Sequence, residues 1–223
     1  MTLPVYVFDA YGTLFDAHAA VARHEGEIGA QAARLSELWR AKQLEYTWVR
    51  SLADAPYVDF RELTAQALDY AAAVTTGGLG AELRARLLAA YDELDAFTDA
   101  RPALDALKAA GAKLAILSNG APAMLAGAIR AAGFEGLFDA VLSVDARGVF
   151  KTAPTVYTLA TEHFDVDPGL ISFQSANRWD IAAASLFGFR TVWINRAGAP
   201  DEYPDMPPAR VLRGLDELPR LPD

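Results

Sequence analysis

Five short runs of apolar residues, rich in β-branched side chains, recur along the chain, and each run is continuous rather than alternating. Strands that are buried on both faces have this pattern, because neither face needs polar residues. Between the later four runs, apolar residues recur at helical spacing, so the sequence predicts a parallel α/β sheet. The predicted strands are Val5–Phe8, Leu114–Leu117, Val141–Val144, Leu170–Phe173 and Thr191–Ile194, and the predicted helices between them are Pro122–Ala132, Pro154–Phe164 and Ile181–Phe187.

The interval between the first two strands is too long for one crossover connection, and its pattern indicates helices over 19–50, 60–73 and 82–96. We predict that residues 16–96 form a helical cap, inserted into a Rossmann-like core domain made of residues 1–15 and 97–223. A cap packed over the strand ends would exclude water from a site at the first strand. The proline-rich tail after Ala197 indicates a surface connection that ends in a short terminal element.

The charge balance bears on which partners the protein can have. With 20 basic and 29 acidic side chains the formal net charge is −9. This surplus of carboxylates repels phosphate backbones and anionic lipid surfaces, so we expect neither nucleic acid nor membrane partners. The chain has no cysteine, which excludes disulfides, thiolate catalysis and cysteine-based zinc sites. Since the sequence shows neither a signal peptide nor a membrane span, we expect a soluble, cytoplasmic protein.

Polar side chains follow four of the predicted strands. Because the carboxyl ends of parallel strands meet at one edge of a sheet, we expect these side chains to converge. A single such residue is usually a helix cap or a turn residue, but four groups in succession indicate a catalytic site. In chain order the groups are Asp9, Ser118-Asn119-Gly120, Lys151 and Ser175-Ala176-Asn177-Arg178-Trp179-Asp180.

These motifs, together with the longer first segment Asp9-Ala10-Tyr11-Gly12-Thr13-Leu14, resemble those of the haloacid dehalogenase superfamily. The resemblance covers both the sheet domain and the inserted cap. It implies a Rossmann-like core with a helical cap, and it implies an aspartate nucleophile at Asp9.

Most members of that superfamily transfer phosphoryl groups, and they carry a second aspartate two residues after the nucleophile. That residue is the general acid for the leaving alkoxide, and Mg²⁺ neutralises the phosphate. Here Tyr11 stands at this position, and a phenol with a pKa of about 10 is a poor acid near neutral pH. The last motif offers Asp180 as its only carboxylate, which weakens the case for Mg²⁺. A halide leaves as a stable anion without a proton, so we expect dehalogenation with no metal or other cofactor.

The first motif, together with an arginine in the first cap helix, is similar to the L-2-haloacid dehalogenase subfamily. The matching arginine is Arg40, with Arg34 or Arg50 as the alternatives if the helix register differs. The resemblance implies that Asp9 attacks C2 of a small 2-haloalkanoate while Arg40 and Asn119 receive the halide. Water then hydrolyses the ester, so an L-2-haloacid gives a D-2-hydroxy acid. The subfamily commonly forms homodimers through the cap, and we expect a homodimer here.

Further roles follow from the same resemblance. We expect Asp180 to activate the water, positioned by Lys151, Ser175 and Asn177, and we expect Lys151 to keep Asp9 ionised. The expected hydrogen-bonding groups for Asp9 or for the substrate carboxylate are Thr13 and Ser118, and Tyr157 matches a tyrosine of the subfamily. The expected substrate-binding wall around the alkyl group and the halogen consists of Tyr11, Phe60 and Trp179.

Two residues depart from the subfamily pattern: Thr152 stands where proline usually follows the motif lysine, and Arg178 stands where a small residue is common. Arg178 either holds an acid group beside the site or has a paired role at the surface. Two other functions stay open, a Mg²⁺-dependent phosphatase of a small phosphorylated metabolite and a non-catalytic module that binds a small carboxylate. A serine hydrolase is excluded, because the chain has no Gly-x-Ser-x-Gly elbow.

Overall fold

A computed structural model describes residues 4–221. In this part of the chain six strands form one sheet in the order β3-β2-β1-β4-β5-β6, and every neighbouring pair is parallel. β1 lies in the middle with β2 on one side and β4 on the other, so the end of β1 is the point where the strand order reverses. The strands are β1 (Val5–Phe8), β2 (Lys113–Ser118), β3 (Ala140–Ser143), β4 (Ile171–Ser175), β5 (Arg190–Ile194) and β6 (Arg210–Leu212).

Helices cover the sheet and fill the long interval before β2. All four residues of β1 are buried, as the continuous apolar run predicts. The predicted α/β architecture is therefore confirmed. The helices are α1 (Ala19–Ala22), α2 (Glu25–Ile28), α3 (Ala32–Leu52), α4 (Phe60–Thr75), α5 (Ala81–Asp92), α6 (Ala100–Ala109), α7 (Pro122–Ala131), α8 (Pro154–Phe164) and α9 (Arg178–Phe187).

The chain enters the helical segment α1–α5 at residues 14–16 and leaves it at residues 95–97, and these two crossings lie side by side. Asp16 N–H donates to the Asp95 carbonyl at 2.8 Å, and Phe97 N–H donates to the Leu14 carbonyl at 2.9 Å. Within the segment, α3 packs along α4, and the Trp39 indole N–H donates to a carbonyl of α4 at 2.8 Å. We keep the name cap for residues 16–96. None of the described helices is long and apolar enough to cross a membrane.

Several details of the secondary structure differ from the prediction: α6 was not predicted, and α5 ends at Asp92 although the helix was expected to reach residue 96. The helical run expected over 19–50 is interrupted at Gly29, whose φ of +77° is the left-handed conformation that glycine tolerates and that ends α2. The helix α9 begins at Arg178 instead of Ile181. Another difference is β6, an edge strand of three residues. It lies in the tail, for which we predicted a surface connection and a short terminal element but no strand.

Candidate active site

Asp9 follows β1 at the centre of the sheet, and only 5% of its surface is exposed. Its Oδ2 accepts hydrogen bonds from Asn177 Nδ2 at 2.7 Å, from Thr13 Oγ1 at 3.1 Å and from Ser175 Oγ at 3.4 Å. Its Oδ1 accepts from Lys151 Nζ at 3.1 Å. The donors come from the ends of two neighbouring strands and from the loop before α8, so the sheet fixes the orientation of the carboxylate.

The turn after Asp9 places Thr13 against the Asp9 carboxylate. Gly12 adopts a φ of +90°, which a residue with a Cβ rarely adopts, and the chain therefore folds back over the strand end. The Thr13 hydroxyl donates to Asp9 and accepts the Ala176 N–H at 2.8 Å. This side chain thus joins the turn after β1 to the loop after β4.

Lys151 lies between two carboxylates and is fully buried. Its Nζ donates to Asp9 Oδ1 at 3.1 Å and to Asp180 Oδ2 at 2.7 Å, and it lies 5.1 Å from the centre of the Phe173 ring. Burial alone would lower the pKa of this ammonium, but the two carboxylates outweigh burial and the pKa of Lys151 is raised. The lysine is therefore a fixed cation at the centre of the site.

Asp180 lies in the first turn of α9 and is fully buried. Its Oδ1 accepts from the Tyr157 hydroxyl at 2.8 Å, and its Oδ2 accepts from Lys151. Burial raises the pKa of Asp180, and the negative charge of Asp9 adds to this, while Lys151 and Tyr157 act in the opposite direction. A carboxylate with a raised pKa is a stronger base, which suits proton abstraction from water.

Ser175 and Asn177 contact Asp9, although we expected them beside Asp180. The reason is the extended backbone after β4, which places both side chains over the end of β1 before α9 begins. Asn177 Nδ2 also donates to the Tyr11 carbonyl at 3.1 Å. These two residues therefore orient the Asp9 carboxylate and the turn that follows it.

Arg40 is the cap arginine that reaches the site. Its Nη2 donates to the Tyr11 carbonyl at 3.3 Å, so the guanidinium lies against the turn after Asp9. The two alternatives lie elsewhere: Arg34 pairs with Glu37 on the surface of α3, and Arg50 donates to a backbone carbonyl beyond the end of that helix. Among the three candidates the geometry thus selects Arg40.

Gln43 joins the cap side of the site and was not predicted from the sequence. Its Nε2 donates to Thr64 Oγ1 at 3.0 Å, and its Oε1 accepts from the Tyr91 hydroxyl at 3.1 Å and from Arg40 Nη1 at 3.5 Å. Gln43 is fully buried and lies one helical turn after Arg40, so the i, i+3 spacing is the signal that points to it.

Tyr11 and Phe60 come together as predicted, with ring centres 5.8 Å apart, and Tyr91 lies 5.5 Å from Tyr11. The Tyr11 hydroxyl is buried and has no hydrogen-bond partner within residues 4–221, and burial raises its pKa well above the usual range. It lies over Gly120, where an added Cβ would approach a ring carbon of Tyr11 to 2.8 Å. The phenol is therefore part of an apolar wall.

The other predicted residues are more dispersed. Ser118 Oγ accepts the backbone N–H two residues on at 3.0 Å, and Asn119 Oδ1 accepts the Lys151 N–H at 2.9 Å. Both side chains therefore shape the turns at the strand ends. Trp179 packs edge-on against Trp48 of the cap at 5.5 Å and faces a groove between the cap and α9. Among the described residues it makes no ring contact with Tyr11 or Phe60.

Arg178 does not hold an acid group at the site. It is buried, and its Nε donates to Asp201 Oδ1 at 2.6 Å while Nη2 donates to the carbonyls of Tyr203 and Met206. The side chain therefore fastens the loop before β6, and this paired role is buried instead of lying on the surface. Thr152, the other departure from the subfamily pattern, is exposed.

The residues at the strand ends do not fit a Mg²⁺ site of the phosphatase type. The Lys151 ammonium fills the space between Asp9 and Asp180, the two carboxylates that would have to share the ion. Within residues 4–221 there is no group of three or more His, Cys, Asp or Glu side chains that could hold a metal ion. We therefore derive no catalytic step through a metal.

Several known proteins are similar to this chain in sequence and in structure. Residues 3–188 match the haloacid dehalogenase-like hydrolase family. (S)-2-haloacid dehalogenase 1 of Pseudomonas sp. (strain CBS-3) is 48% identical, over 96% of this chain and 94% of its own. A dehalogenase crystal structure has a TM-score of 0.95 at 44% identity, covering 100% and 98% of the two chains.

A further solved structure is that of L-2-haloacid dehalogenase from Xanthobacter autotrophicus with chloropropionic acid covalently bound. It has a TM-score of 0.87 at 35% identity and covers 98% of both chains. The match to the family model and the near-complete coverage of these relatives lead to one assignment. The chain belongs to the haloacid dehalogenase-like hydrolases and, within them, to the L-2-haloacid dehalogenase subfamily.

Proposed function

We propose that the protein hydrolyses short L-2-haloalkanoic acids to D-2-hydroxy acids through an ester on Asp9. The observation that carries this proposal is the meeting of Asp9 and Arg40 at one turn, where the residue in the place of the phosphatase acid is the buried phenol of Tyr11. The site thus offers a nucleophile and a cation for a departing anion. The relative from Xanthobacter autotrophicus supports the ester, since its acid is covalently bound.

In the first step a carboxylate oxygen of Asp9 attacks C2 from the side opposite the halogen. The new C–O bond forms as the carbon–halogen bond breaks, and the halide leaves with the bonding electron pair. We assign the attack to Oδ1, because Oδ2 accepts three hydrogen bonds while Oδ1 accepts only that of Lys151 among the described contacts. Arg40 and Asn119 receive the halide, and Ser118 with the backbone N–H groups of its turn binds the substrate carboxylate.

In the second step water attacks the Asp9 Cγ of the ester while Asp180 accepts a proton from it. The bond between Cγ and Oδ1 then breaks, the departing alkoxide takes up the proton as the 2-hydroxy acid, and the Asp9 carboxylate is regenerated. Lys151 and the Tyr157 hydroxyl hold Asp180 in place for this transfer. The donors that now bind Oδ2, Thr13 and Asn177, would stabilise the negative charge that develops on that oxygen. The bond between C2 and oxygen is kept in the product, so the inversion of the first step is preserved.

We also propose that residues 16–96 form the cap domain and that residues 1–15 and 97–223 form the core domain. The paired crossings at 14–16 and 95–97 support this division. A homodimer through the cap is supported by exposed apolar side chains on α3 and α4, among them Val49, Tyr70 and Val74. Light scattering on the purified protein tests the dimer, and a cytoplasmic location remains a proposal that cell fractionation tests.

The proposal is tested by measuring halide released from L-2-chloropropionate in the presence of EDTA. We expect full activity in EDTA and none in Asp9→Asn, because an amide cannot attack C2. The matched control is Asp105→Asn, an exposed aspartate on α6. In a single turnover in H₂¹⁸O, mass spectrometry should find the label in the Asp9 peptide.

Two results would contradict the proposal. One is halide release that survives the loss of Asp9. The other is release that EDTA abolishes, above all if the protein instead liberates phosphate from an aryl phosphate in the presence of Mg²⁺.

A further inference from the structure

Arg196 follows β5 and reaches the turn after Asp9, although the steps proposed above do not use it. Its Nη2 donates to the Thr13 carbonyl at 3.1 Å. Thr13 is also the residue whose hydroxyl donates to Asp9 Oδ2 and accepts the Ala176 N–H. The guanidinium therefore holds the backbone of the residue whose side chain bonds to the Asp9 carboxylate.

Asp99, which immediately precedes α6, holds the Arg196 guanidinium in place. Nη1 donates to Asp99 Oδ2 at 2.6 Å and Nη2 donates to Asp99 Oδ1 at 3.0 Å, so the two side chains form a bidentate pair. Asp99 Oδ2 also accepts the Leu215 N–H at 2.7 Å, which fixes the carboxylate in turn. Because a planar guanidinium with two bonds to one carboxylate has a defined orientation, its remaining N–H is directed at the Thr13 carbonyl.

The same guanidinium packs on the segment where the chain returns from the cap. Its Cζ lies 4.1 Å from the centre of the Phe97 ring, and the Phe97 N–H donates to the Leu14 carbonyl at 2.9 Å. Arg196 thus joins the end of β5 to residues 97–99 and to the turn after β1. Only 23% of its side chain and 17% of that of Asp99 are exposed, so solvent screens this pair less than an ion pair on the surface.

We propose that Arg196 is a positioning residue for the nucleophile and that it acts through Thr13. Its bond to the carbonyl fixes the Thr13 backbone, and the Thr13 hydroxyl then fixes Oδ2 of Asp9 so that Oδ1 stays directed at C2. A small displacement of a reacting group costs a large factor in rate. This role rests on the proposed function, because it requires Asp9 to be the attacking group.

The first test is Arg196→Met, which removes the guanidinium. We expect halide release from L-2-chloropropionate in a single turnover to slow by roughly tenfold, because the bond from a charged donor to the Thr13 carbonyl is lost. The inhibition constant of propionate, which has no halogen to displace, should stay unchanged. The matched control is Arg101→Met, which breaks an exposed arginine–aspartate pair on α6 and should alter neither value. An unchanged single-turnover rate in Arg196→Met would contradict the proposed role.

A second variant separates positioning from stability, because Arg196→Met leaves Asp99 without its partner. In Arg196→Met/Asp99→Asn no charge is left unpaired, and the amide can still accept the Leu215 N–H. We expect the midpoint of urea denaturation to recover most of its loss while halide release in a single turnover stays slow. If the rate recovered together with the stability, Arg196 would only stabilise the fold.

A double-mutant cycle tests the route through Thr13. Thr13→Val removes the hydroxyl that bonds to Asp9 and keeps the shape of the side chain. Adding Arg196→Met to Thr13→Val should therefore slow halide release by no more than about twofold further, since both changes break the same connection. A full additional loss of about tenfold would show that Arg196 acts by another route and would overturn the proposal.

Hydrogen exchange provides a measurement that does not depend on turnover. In Arg196→Met we expect the amides of residues 12–16 to exchange roughly fivefold faster, while β2 and β3 keep their protection. If the unmodified protein released no halide, the proposed function would fail, and exchange at residues 12–16 would still decide whether Arg196 holds the turn. Unchanged exchange there would overturn the proposal whatever the activity.

Discussion

Lys151 is fully buried and forms ion pairs with both Asp9 and Asp180, the two carboxylates that we propose to be catalytic. We expect Lys151→Met to lower the free energy of unfolding by about 3 kcal/mol at pH 7, since removal of one partner leaves buried charge unpaired. Urea denaturation measures this loss. The double variant Lys151→Met/Asp180→Asn should recover part of it, and equal stability of Lys151→Met and the unmodified protein would contradict the prediction.

We expect Tyr157 to influence the pH range in which Asp180 can act as the proposed base, because its hydroxyl donates to the Asp180 carboxylate. Asp180 must be ionised to accept a proton, and its pKa is already raised from 3.8, mainly by burial, so kcat is lost as the pH falls through this raised value. The Tyr157 hydroxyl stabilises the charged form. We therefore expect Tyr157→Phe to shift the acid limb of the kcat profile to higher pH, by roughly one unit.

The control for this variant is Tyr70→Phe, which changes a half-exposed tyrosine of the cap. A merely structural effect of Tyr157→Phe would lower kcat by the same factor at every pH. That outcome, with an unmoved acid limb, would contradict the role given to Tyr157.

The helix α3 positions Arg40, the arginine that we propose as the halide-binding group, through a residue of its own next turn. Gln43 bridges Arg40 to Thr64 on α4 and to Tyr91 on α5, so three helices hold one guanidinium. We expect Gln43→Leu to lower kcat/KM for L-2-chloropropionate by about tenfold, because a hydrogen bond to a charged group contributes about 1.5–3 kcal/mol.

The leaving group distinguishes positioning of Arg40 from general damage to the cap. Chloride is a poorer leaving group than bromide, so misplacement of the arginine should reduce turnover of the chloro acid more than that of the bromo acid. The control Gln66→Leu replaces an exposed glutamine of α4. Equal losses for both acids in Gln43→Leu would show that the residue only stabilises the fold.

The elements that carry chemistry were predictable because a buried parallel strand has a strong local pattern and ends at the edge where ligands bind. The apolar run predicted over 5–8 is β1 residue for residue, and Asp9 follows it. The edge strand β6 is three residues long and depends on pairing with β5, which no local pattern reveals. The spacing from Arg40 points to Gln43, but it does not reveal that the other partners of this side chain lie on α4 and α5, which are distant in sequence.

The whole molecule carries a net charge of −9, yet the proposed substrate is itself an anion that this charge would repel. The positions of the cations explain how the protein can still bind an anion. Lys151 is buried between two carboxylates and Arg40 points inward from the cap, whereas Arg178 holds the loop before β6. The acidic surplus thus describes the outer surface. The electrostatic field inside a buried site depends mainly on the charged side chains within it, because solvent and salt screen buried charges less than exposed ones.

Contacts between the cap and residues 145–150 hold the cap against the rest of the molecule. The Tyr57 hydroxyl donates to Asp145, the Tyr57 ring packs on Phe150 at 5.2 Å, and the Ser51 hydroxyl accepts the Phe150 N–H. Burial raises the pKa of Tyr57, so the hydroxyl keeps its proton and the link persists into alkaline conditions. Phe150 immediately precedes Lys151, so these contacts join the cap to the segment that carries the buried lysine.

We therefore expect Tyr57→Phe to increase the population of open molecules about fivefold, since one hydrogen bond contributes about 1 kcal/mol. Hydrogen exchange should accelerate in residues 149–154 and at the end of α3, while the strands of the sheet stay protected. Tyr46→Phe, which removes a hydroxyl from α3 away from this contact, should leave exchange unaltered. If exchange at 149–154 were the same in Tyr57→Phe as in the unmodified protein, the closure of the site would have to depend on the packing of the rings and not on the hydrogen bond to Asp145.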